Sequence, residues 1–156
     1  LSFHQQFVDT GNFEIDSILN YKLQEMKNKN VHLKCSITIP KDLKINVFDL
    51  NIVLGNLLNN AIEAIEKAER KYFFINIYFE KNILFIHIEN TYDGNIIKEK
   101  ETLMTTKEEK QLHGLGLKSV SSILEKYDGD IIYDYNDIYF ITDVMLCNTS
   151  FHHETE

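Results

Sequence analysis

Three polar side chains, Asn56, Asn60 and Glu63, share one face of a segment whose other face is apolar. In a helix with about 100° between successive residues, these three fall within roughly 60° of one another. Exposed helix faces usually carry Lys, Glu, Arg and Gln, because Asn competes with the backbone for hydrogen bonds. A helix face built from carboxamides therefore indicates a specific partner.

The chemistry open to these residues is the binding of a hard cation. A carboxamide oxygen is a neutral ligand for Mg²⁺, an ion that keeps several waters and takes its other oxygens from phosphates. We interpret Asn60 as the metal ligand and Asn56 as the residue that orients a water or a phosphate oxygen beside it. A polar helix edge without a ligand is the plainer explanation of the pair taken alone.

A second group of residues opens a later helix. It consists of His113, Gly114, Leu115, Gly116 and Leu117. Two glycines allow the backbone to approach a ligand closely, and the free N–H groups of the first helical turn then point at phosphate oxygens. Gly-x-Gly before a helix is also commonly a flexible connection, and His113 is equally well explained as a phosphate contact or as an ordinary loop residue.

The segment between these two groups, residues 91–112, has few apolar positions. A loop of this length in a compact domain is usually a functional lid or disordered. It contains Thr105, Thr106 and Lys107, and the side chain of Lys107 is long enough to reach a terminal phosphate. A solvated run of charges is the alternative explanation.

Asn90 stands just before this loop, after an alternating apolar run. At the end of a strand it can project into a pocket between the sheet and the helices. It can equally form a turn, together with Asp93 and Gly94. Both interpretations stay open from the residues alone.

The composition limits the classes of function. A net charge of −8 argues against nucleic-acid binding, which usually needs a clustered basic face. A phosphate ligand would need local positive character, for which Mg²⁺, helix N-termini and a few lysines are available. Two cysteines without CxxC spacing indicate reduced thiols in a cytoplasmic setting. The sequence contains neither an apolar run of roughly 18 residues nor a secretory leader.

Hydrophobic periodicity predicts the elements that must position these residues. Helical spacing predicts helices and alternation predicts strands, with Lys81 and Asn82 as a hairpin turn. The predicted helices cover 14–29, 47–69 and 115–127, the last ended by Gly129, and the predicted strands cover 31–39, 73–79, 84–88, 130–135 and 138–146. This order predicts one domain over residues 1–156, with a mostly antiparallel sheet and helices on one face.

The four polar elements are the carboxamide face, Asn90, the loop of residues 91–112 and the Gly-x-Gly segment. Taken in chain order, they resemble the ATP-binding domain of the GHKL superfamily, which includes gyrase-type ATPases, heat-shock chaperones, histidine kinases and mismatch-repair proteins. Residues 56–61 resemble its N box, residues 88–90 with Gly94 its first glycine box, and residues 113–117 its second. The resemblance implies a two-layer α/β sandwich of the Bergerat type, with a mixed sheet and three helices. It implies ATP and Mg²⁺ as ligands, with Asn60 on the metal and Asn56 and Lys107 in catalytic roles. The residues that it places around the nucleotide are Asn56, Asn60, Glu63, Asn90, Thr106, Lys107, His113, Gly114, Leu115, Gly116 and Leu117.

One branch of the superfamily is the most similar. Quorum-sensing sensor kinases of the accessory-gene-regulator (AgrC-like) type resemble the chain at residues 10–12, 16–22, 54–58, 105–107 and 113–114. In such kinases this domain phosphorylates a histidine on a separate helical dimerisation domain. The resemblance implies the cytoplasmic domain of a membrane-anchored bacterial homodimer, with a downstream response regulator as a further partner. A serine kinase of the anti-sigma-factor type and a non-catalytic nucleotide-binding module are the alternatives.

Asn56 separates a kinase from an ATPase within this superfamily. In members that hydrolyse ATP, the position four residues before the magnesium Asn is typically Glu, the general base for water. A carboxamide has no useful basicity near neutral pH, so Asn56 cannot take a proton from water. We therefore expect poor hydrolysis, which preserves the γ-phosphoryl group for another acceptor.

The chain departs from the superfamily pattern at Asn90, where most members carry Asp. A carboxylate accepts a hydrogen bond from the adenine amino group and repels the guanine carbonyl, whereas Asn can present its oxygen or its amide hydrogens. Adenine selectivity is then either looser in this chain or enforced by the shape of the pocket.

No histidine of the chain is a convincing phosphoacceptor. His4, for example, precedes Gln5, whereas the acceptor of the family usually precedes an acidic residue on a dimerisation helix. We expect the chain to be a fragment of a larger kinase that binds nucleotide without labelling itself.

Overall fold

The computed structural model describes residues 5–95 and 114–149. Within these ranges lie three helices and five strands. The helices are α1 (Phe13–Asn28), α2 (Val47–Glu66) and α3 (Gly114–Lys126), and the strands are β1 (His32–Ile37), β2 (Tyr72–Glu80), β3 (Ile83–Thr91), β4 (Asp130–Tyr135) and β5 (Tyr139–Cys147). None of these helices is long and apolar enough to cross a membrane.

The strands form one sheet in the order β1-β2-β3-β5-β4. β1 pairs with β2 in parallel, and the other three pairs are antiparallel. The turn between β2 and β3 consists of Lys81 and Asn82, whose φ angles are 50° and 62°. Two consecutive positive φ angles match the twist of a tight hairpin. The predicted hairpin is confirmed, and the parallel pair makes the sheet mixed.

The three helices cover one face of this sheet. On β2, the side chains of Phe73, Ile75 and Ile77 are buried and alternate with half-buried or exposed neighbours. α2 packs on β2 and β3, while α1 and α3 pack against α2. The core therefore lies between a sheet and a layer of helices, and the predicted two-layer α/β sandwich is confirmed.

α1 and α2 run parallel in a constant register. The carbonyl oxygen of Glu14 accepts a hydrogen bond from Nδ2 of Asn51 at 3.4 Å. Near the other end, the ammonium group of Lys29 forms an ion pair with Glu66. Both contacts join residues that are 37 positions apart. The two helices are thus held together at both ends.

The segment before α1 is held against that helix by polar side chains. Asn12 caps α1 by accepting a hydrogen bond from its first turn at 3.1 Å. Asp16 accepts hydrogen bonds from the N–H and the hydroxyl of Thr10, at 2.9 and 2.7 Å. One turn later, Asn20 accepts from the N–H groups of residues 7–8 and donates to a carbonyl of that pair. These side chains therefore fix the path of the chain into the domain.

The end of α3 differs from the prediction. Its left-handed residue is Asp128, with φ of 46°, rather than Gly129. The N–H of Gly129 donates to the carbonyl of Leu124 at 2.7 Å, which closes the last turn. A Cβ atom at Gly129 would lie 2.5 Å from the carbonyl oxygen of Met145. Glycine is required here because β5 passes close by, and not because of the helix-ending conformation.

The start of α2 and the end of α3 meet in a small polar junction. Asn46 caps α2, and its own N–H donates to the hydroxyl oxygen of Tyr127 at 3.0 Å. That hydroxyl donates to the carboxylate of Asp49 at 2.6 Å, and the ammonium of Lys126 lies 2.7 Å from the same oxygen. Burial raises the pKa of Asp49, but the hydrogen bonds from Lys126 and Tyr127 outweigh it and hold this pKa below its ordinary value.

We predict that Tyr127→Phe lowers the free energy of unfolding by about 1 to 3 kcal/mol, because it leaves the N–H of Asn46 and an oxygen of Asp49 without their buried partner. Urea denaturation followed by circular dichroism measures this change. The control is Tyr78→Phe, since Tyr78 is 39% exposed and its ring stacks on Phe85 without help from the hydroxyl. Equal stability of the two variants would contradict the role assigned to the junction.

Candidate functional site

The predicted carboxamide face lies on the outer side of α2. Asn60 and Glu63 are exposed, and Asn56 is half-buried. The opposite side of the helix is packed into the core, where Leu57 and Leu58 are 5% and 0% exposed. The two faces follow from the helical period, so this part of the prediction is confirmed in its geometry.

The side chain of Asn56 has a fixed orientation. Its Nδ2 donates a hydrogen bond to the carbonyl oxygen of Ile52, one turn earlier, at 2.7 Å. Because one amide hydrogen is held by the backbone, the orientation of the carboxamide is fixed, and Oδ1 is left to accept a hydrogen bond from a ligand. Asn56 therefore presents a hydrogen-bond acceptor and no basic group at this point of the helix.

The carboxamide of Asn60 is exposed on this face of α2. Within residues 5–95 and 114–149, its side chain makes no hydrogen bond. The same ranges hold no group of three or more His, Cys, Asp or Glu side chains that could bind a metal ion. A Mg²⁺ ion that bound here would take one protein oxygen, from Asn60, and fill its shell with waters and phosphate oxygens, as it commonly does. The donor set thus fits Mg²⁺ bound together with a phosphate ligand.

α3 begins at the predicted Gly-x-Gly position. Its first turn is formed by residues 114–117. Since the end of α3 meets the start of α2 at Lys126 and Asp49, the two packed helices run antiparallel. Gly114 lies twelve residues before Lys126, and Ala61 lies twelve residues after Asp49, a rise of about 18 Å in each helix. With the two helix axes aligned, these equal rises of about 18 Å place the first turn of α3 near the height of Asn60.

Asn90 lies inside a strand and not at its end. β3 continues to Thr91, three residues beyond the predicted end at Ile88, because the ladder with β5 extends that far. Asn90 pairs with Phe73 on one side and is only 2% exposed, on the helix-facing side of the sheet. Asn90 therefore lies between the sheet and the helices and not in a turn, and its role in a ligand pocket stays a prediction.

The amide of Asn90 is also oriented by the backbone. Its Nδ2 donates to the carbonyl oxygen of Thr91 at 3.0 Å, so Oδ1 is the atom left to accept a further hydrogen bond. Thr91 is held in turn, because its hydroxyl accepts from the N–H of Tyr72 at 3.0 Å. A buried carboxamide therefore offers the same acceptor that a carboxylate would offer.

Asp93 and Gly94 form the turn that follows. Oδ1 of Asp93 accepts a hydrogen bond from the N–H of Asn95 at 3.0 Å, and this hydrogen bond lowers the pKa of Asp93. Gly94 has φ of 80°, a conformation that favours glycine. Tyr92 anchors the turn, because its hydroxyl donates to the carbonyl of Asn136 between β4 and β5.

One buried polar residue beside Asn90 was absent from the sequence prediction. Thr142 is 6% exposed and pairs with Ile88, on the helix-facing side of the sheet. It lies two register pairs from Asn90, which pairs with Phe140, and so in the next pair on the same face. The signal available in the sequence was a threonine among the alternate, inward-facing positions of β5, where apolar residues are expected. The predicted loop residues Thr105, Thr106, Lys107 and His113 lie outside the described residues.

A family profile described as a GHKL domain matches residues 45–147. These residues run from the start of α2 to the end of β5. No curated protein sequence matches the chain significantly.

Two solved structures with this fold are similar. A nucleotide-free form of the catalytic domain of histidine kinase ThkA shares 20% sequence identity, and the alignment covers 92% of this chain and 97% of that one with a TM-score of 0.67. The histidine kinase AdeS of Acinetobacter baumannii shares 16% identity, and the alignment covers 88% of this chain and 64% of that one with a TM-score of 0.62. At these identities, the similarity establishes the fold.

Proposed function

This chain belongs to the GHKL domain family, and from that premise we propose that it is the Mg-ATP-binding catalytic domain of a sensor histidine kinase. It transfers the γ-phosphate of ATP to a histidine on a dimerisation domain that lies outside this sequence. The observation that supports this most is the position of Asn60, free on the outer face of α2 and level with the first turn of α3.

The described residues bind the two ends of the nucleotide in this proposal. Bound Mg²⁺ would supply charge neutralisation for the triphosphate. Asn60 holds that ion by its carboxamide oxygen, and the N–H groups of the first turn of α3 donate to phosphate oxygens. Asn90 accepts a hydrogen bond from the adenine amino group by Oδ1. Thr106, Lys107 and His113 are proposed phosphate contacts from the sequence alone.

Asn56 is proposed to direct the phosphoryl group towards a protein. One of its amide hydrogens is bound to the carbonyl of Ile52, and its carboxamide oxygen has no useful basicity near neutral pH. Water beside the γ-phosphate is therefore not activated, while an imidazole needs no base at this position because its nitrogen is already a nucleophile. The acceptor that suits such a site is a histidine.

The branch of histidine kinases that we propose for this domain follows from the sequence resemblance. We place the domain in a membrane-anchored bacterial homodimer of the AgrC-like, quorum-sensing type, facing the cytoplasm and passing its phosphoryl group to a response regulator. The polar residues before and within α1 support this branch, because their hydrogen bonds hold the preceding segment of the chain against that helix. These residues are Thr10, Asn12, Asp16 and Asn20. The resemblance at residues 10–12 and 16–22 therefore covers one connected structural unit.

We predict that Asn60→Ala weakens the binding of ATP in the presence of Mg²⁺ by about tenfold to a hundredfold, because it removes the only protein ligand assigned to the ion. Asn59→Ala is the matched control, since Asn59 is an exposed asparagine of the same helix. Titration calorimetry with Mg²⁺ and with EDTA measures both variants. If the two alanine variants bind Mg-ATP equally well, Asn60 is not the metal ligand.

We predict that Asn56→Glu increases the release of inorganic phosphate from ATP by about tenfold or more, because a carboxylate can accept a proton from water. Asn56→Gln has the same length without the basicity and is expected to leave the rate unchanged. A steady-state phosphate assay compares the three proteins. Rapid hydrolysis by the unmodified domain would instead identify it as an ATPase.

We predict that the domain binds ATP about tenfold or more tightly than GTP, because Oδ1 of Asn90 attracts the adenine amino group and repels the guanine carbonyl. Asn90→Asp should preserve this preference, since a carboxylate offers the same acceptor. Titration calorimetry with ATP and with GTP measures the two affinities for each protein. Equal affinities would show that the amide of Asn90 turns over when a base binds.

A further inference from the structure

A group of aromatic rings lies beside Asn90 on the helix-facing side of the sheet. Phe140 pairs directly with Asn90, and Tyr135 pairs with Phe140 on the next strand. The ring centroids of Phe140 and Tyr135 are 6.4 Å apart, with 16° between the ring planes. The rings of Tyr133 and Tyr92 lie 5.6 and 6.2 Å from that of Phe140. We call Phe140 and Tyr135 the edge rings, because they lead from Asn90 to the edge strand β4.

Solvent exposure increases along this row of paired residues. Asn90 is 2% exposed, Phe140 is half-buried and Tyr135 is 37% exposed. Helix-facing positions in a two-layer sandwich are normally covered, as Ile131 at the start of the same strand partly is. The row therefore descends from an accessible ring at the edge of the sheet to a buried hydrogen-bond acceptor.

The other neighbours of Asn90 leave no space for a ligand. Phe73, its partner on β2, is 0% exposed, and Ile88, the preceding helix-facing residue of β3, is 1% exposed. A group that donates a hydrogen bond to Oδ1 of Asn90 therefore extends towards β5 and β4, over the edge rings. Neighbouring strands lie about 4.8 Å apart, so Tyr135 is about 10 Å from Asn90 across the row.

The first turn of α3 lies at the same end of the sheet as the edge rings. The last turn of α3 is fixed at the opposite end, since the carbonyl of Tyr127 accepts a hydrogen bond from the N–H of Cys147 at 3.0 Å. From there α3 runs back over a length of about 18 Å, and β4 has a similar length of about 17 Å. A nucleotide whose base covers the edge rings thus has its phosphates near the N–H groups that the proposed function assigns to them.

We propose that the edge rings form an aromatic platform for the base of the nucleotide and select a purine by its length. This inference rests on the proposed function. Asn90 holds the amino group of the base, Phe140 packs against its first ring and Tyr135 against its second. A one-ring base with an amino group satisfies Asn90 and covers Phe140 but ends before Tyr135. Because packing on an aromatic ring depends on contact area rather than on hydrogen bonds, Tyr135 distinguishes bases by size.

The test compares ATP with CTP, because both carry an exocyclic amino group and the same triphosphate, and only ATP has a second ring. Tyr135→Ala is expected to weaken the binding of Mg-ATP about tenfold. The affinity for Mg-CTP is expected to stay within about twofold of the unmodified value. Titration calorimetry measures ATP, and displacement of labelled ATP measures CTP. Tyr135→Phe keeps the ring and should bind both nucleotides like the unmodified domain.

The matched control is Tyr78→Ala, since Tyr78 is 39% exposed and lies in the same sheet on the face away from the helices. This variant should bind both nucleotides normally. The ratio of the two affinities separates contact with the base from a purely structural role, because a general disturbance of the domain weakens ATP and CTP alike.

The possible failures are distinguishable. If Tyr135→Ala leaves the affinity for ATP unchanged, or weakens ATP and CTP equally, the edge rings only pack the corner of the sheet and the inference is overturned, while the kinase proposal stands. An unmodified domain that binds neither nucleotide in the presence of Mg²⁺ would overturn both.

Discussion

The hydroxyl group of Tyr127 joins the end of α3 to the start of α2, and the arrangement of the site depends on this contact. It accepts from the backbone of Asn46 and donates to Asp49, so two helices from distant parts of the chain share one buried oxygen. The contact sets the height of α3 along α2. Because α3 then runs back along its neighbour, the first turn of α3 comes level with Asn60.

α2 is therefore the reference element of the domain. Its inner face packs on β2 and β3, α1 follows it in a register fixed at both ends, and α3 is tied to its first turn. The outer face of α2 makes none of these packing contacts. It can therefore carry exposed apolar residues, and carboxamides that would pack poorly in a core. The residues that position the neighbouring elements and the residues proposed to bind a ligand thus lie on opposite sides of one helix.

The sequence predicts local features of this fold well. The helical period of α2 and the alternation of β2 and β3 are signals between near neighbours, and the turn at Lys81 and Asn82 follows from its length. The carboxamide face was predictable for the same reason. The height of α3 was not, because it depends on a tyrosine hydroxyl whose partners lie far away in the chain. Gly129 shows the same limit, since the strand that requires glycine there is a tertiary neighbour.

The orientation of the Asn90 amide has an electrostatic consequence. One of its hydrogens is bound to the carbonyl of Thr91, which fixes the amide so that its oxygen can accept a hydrogen bond as one oxygen of an aspartate would. The substitution keeps the hydrogen-bonding pattern while removing a formal negative charge from a buried place. In a chain with a net charge of −8, one negative charge fewer lowers the repulsion that the proposed polyanionic ligand would meet. An uncharged residue thus offers the same acceptor atom as a charged one at a smaller electrostatic cost to that ligand.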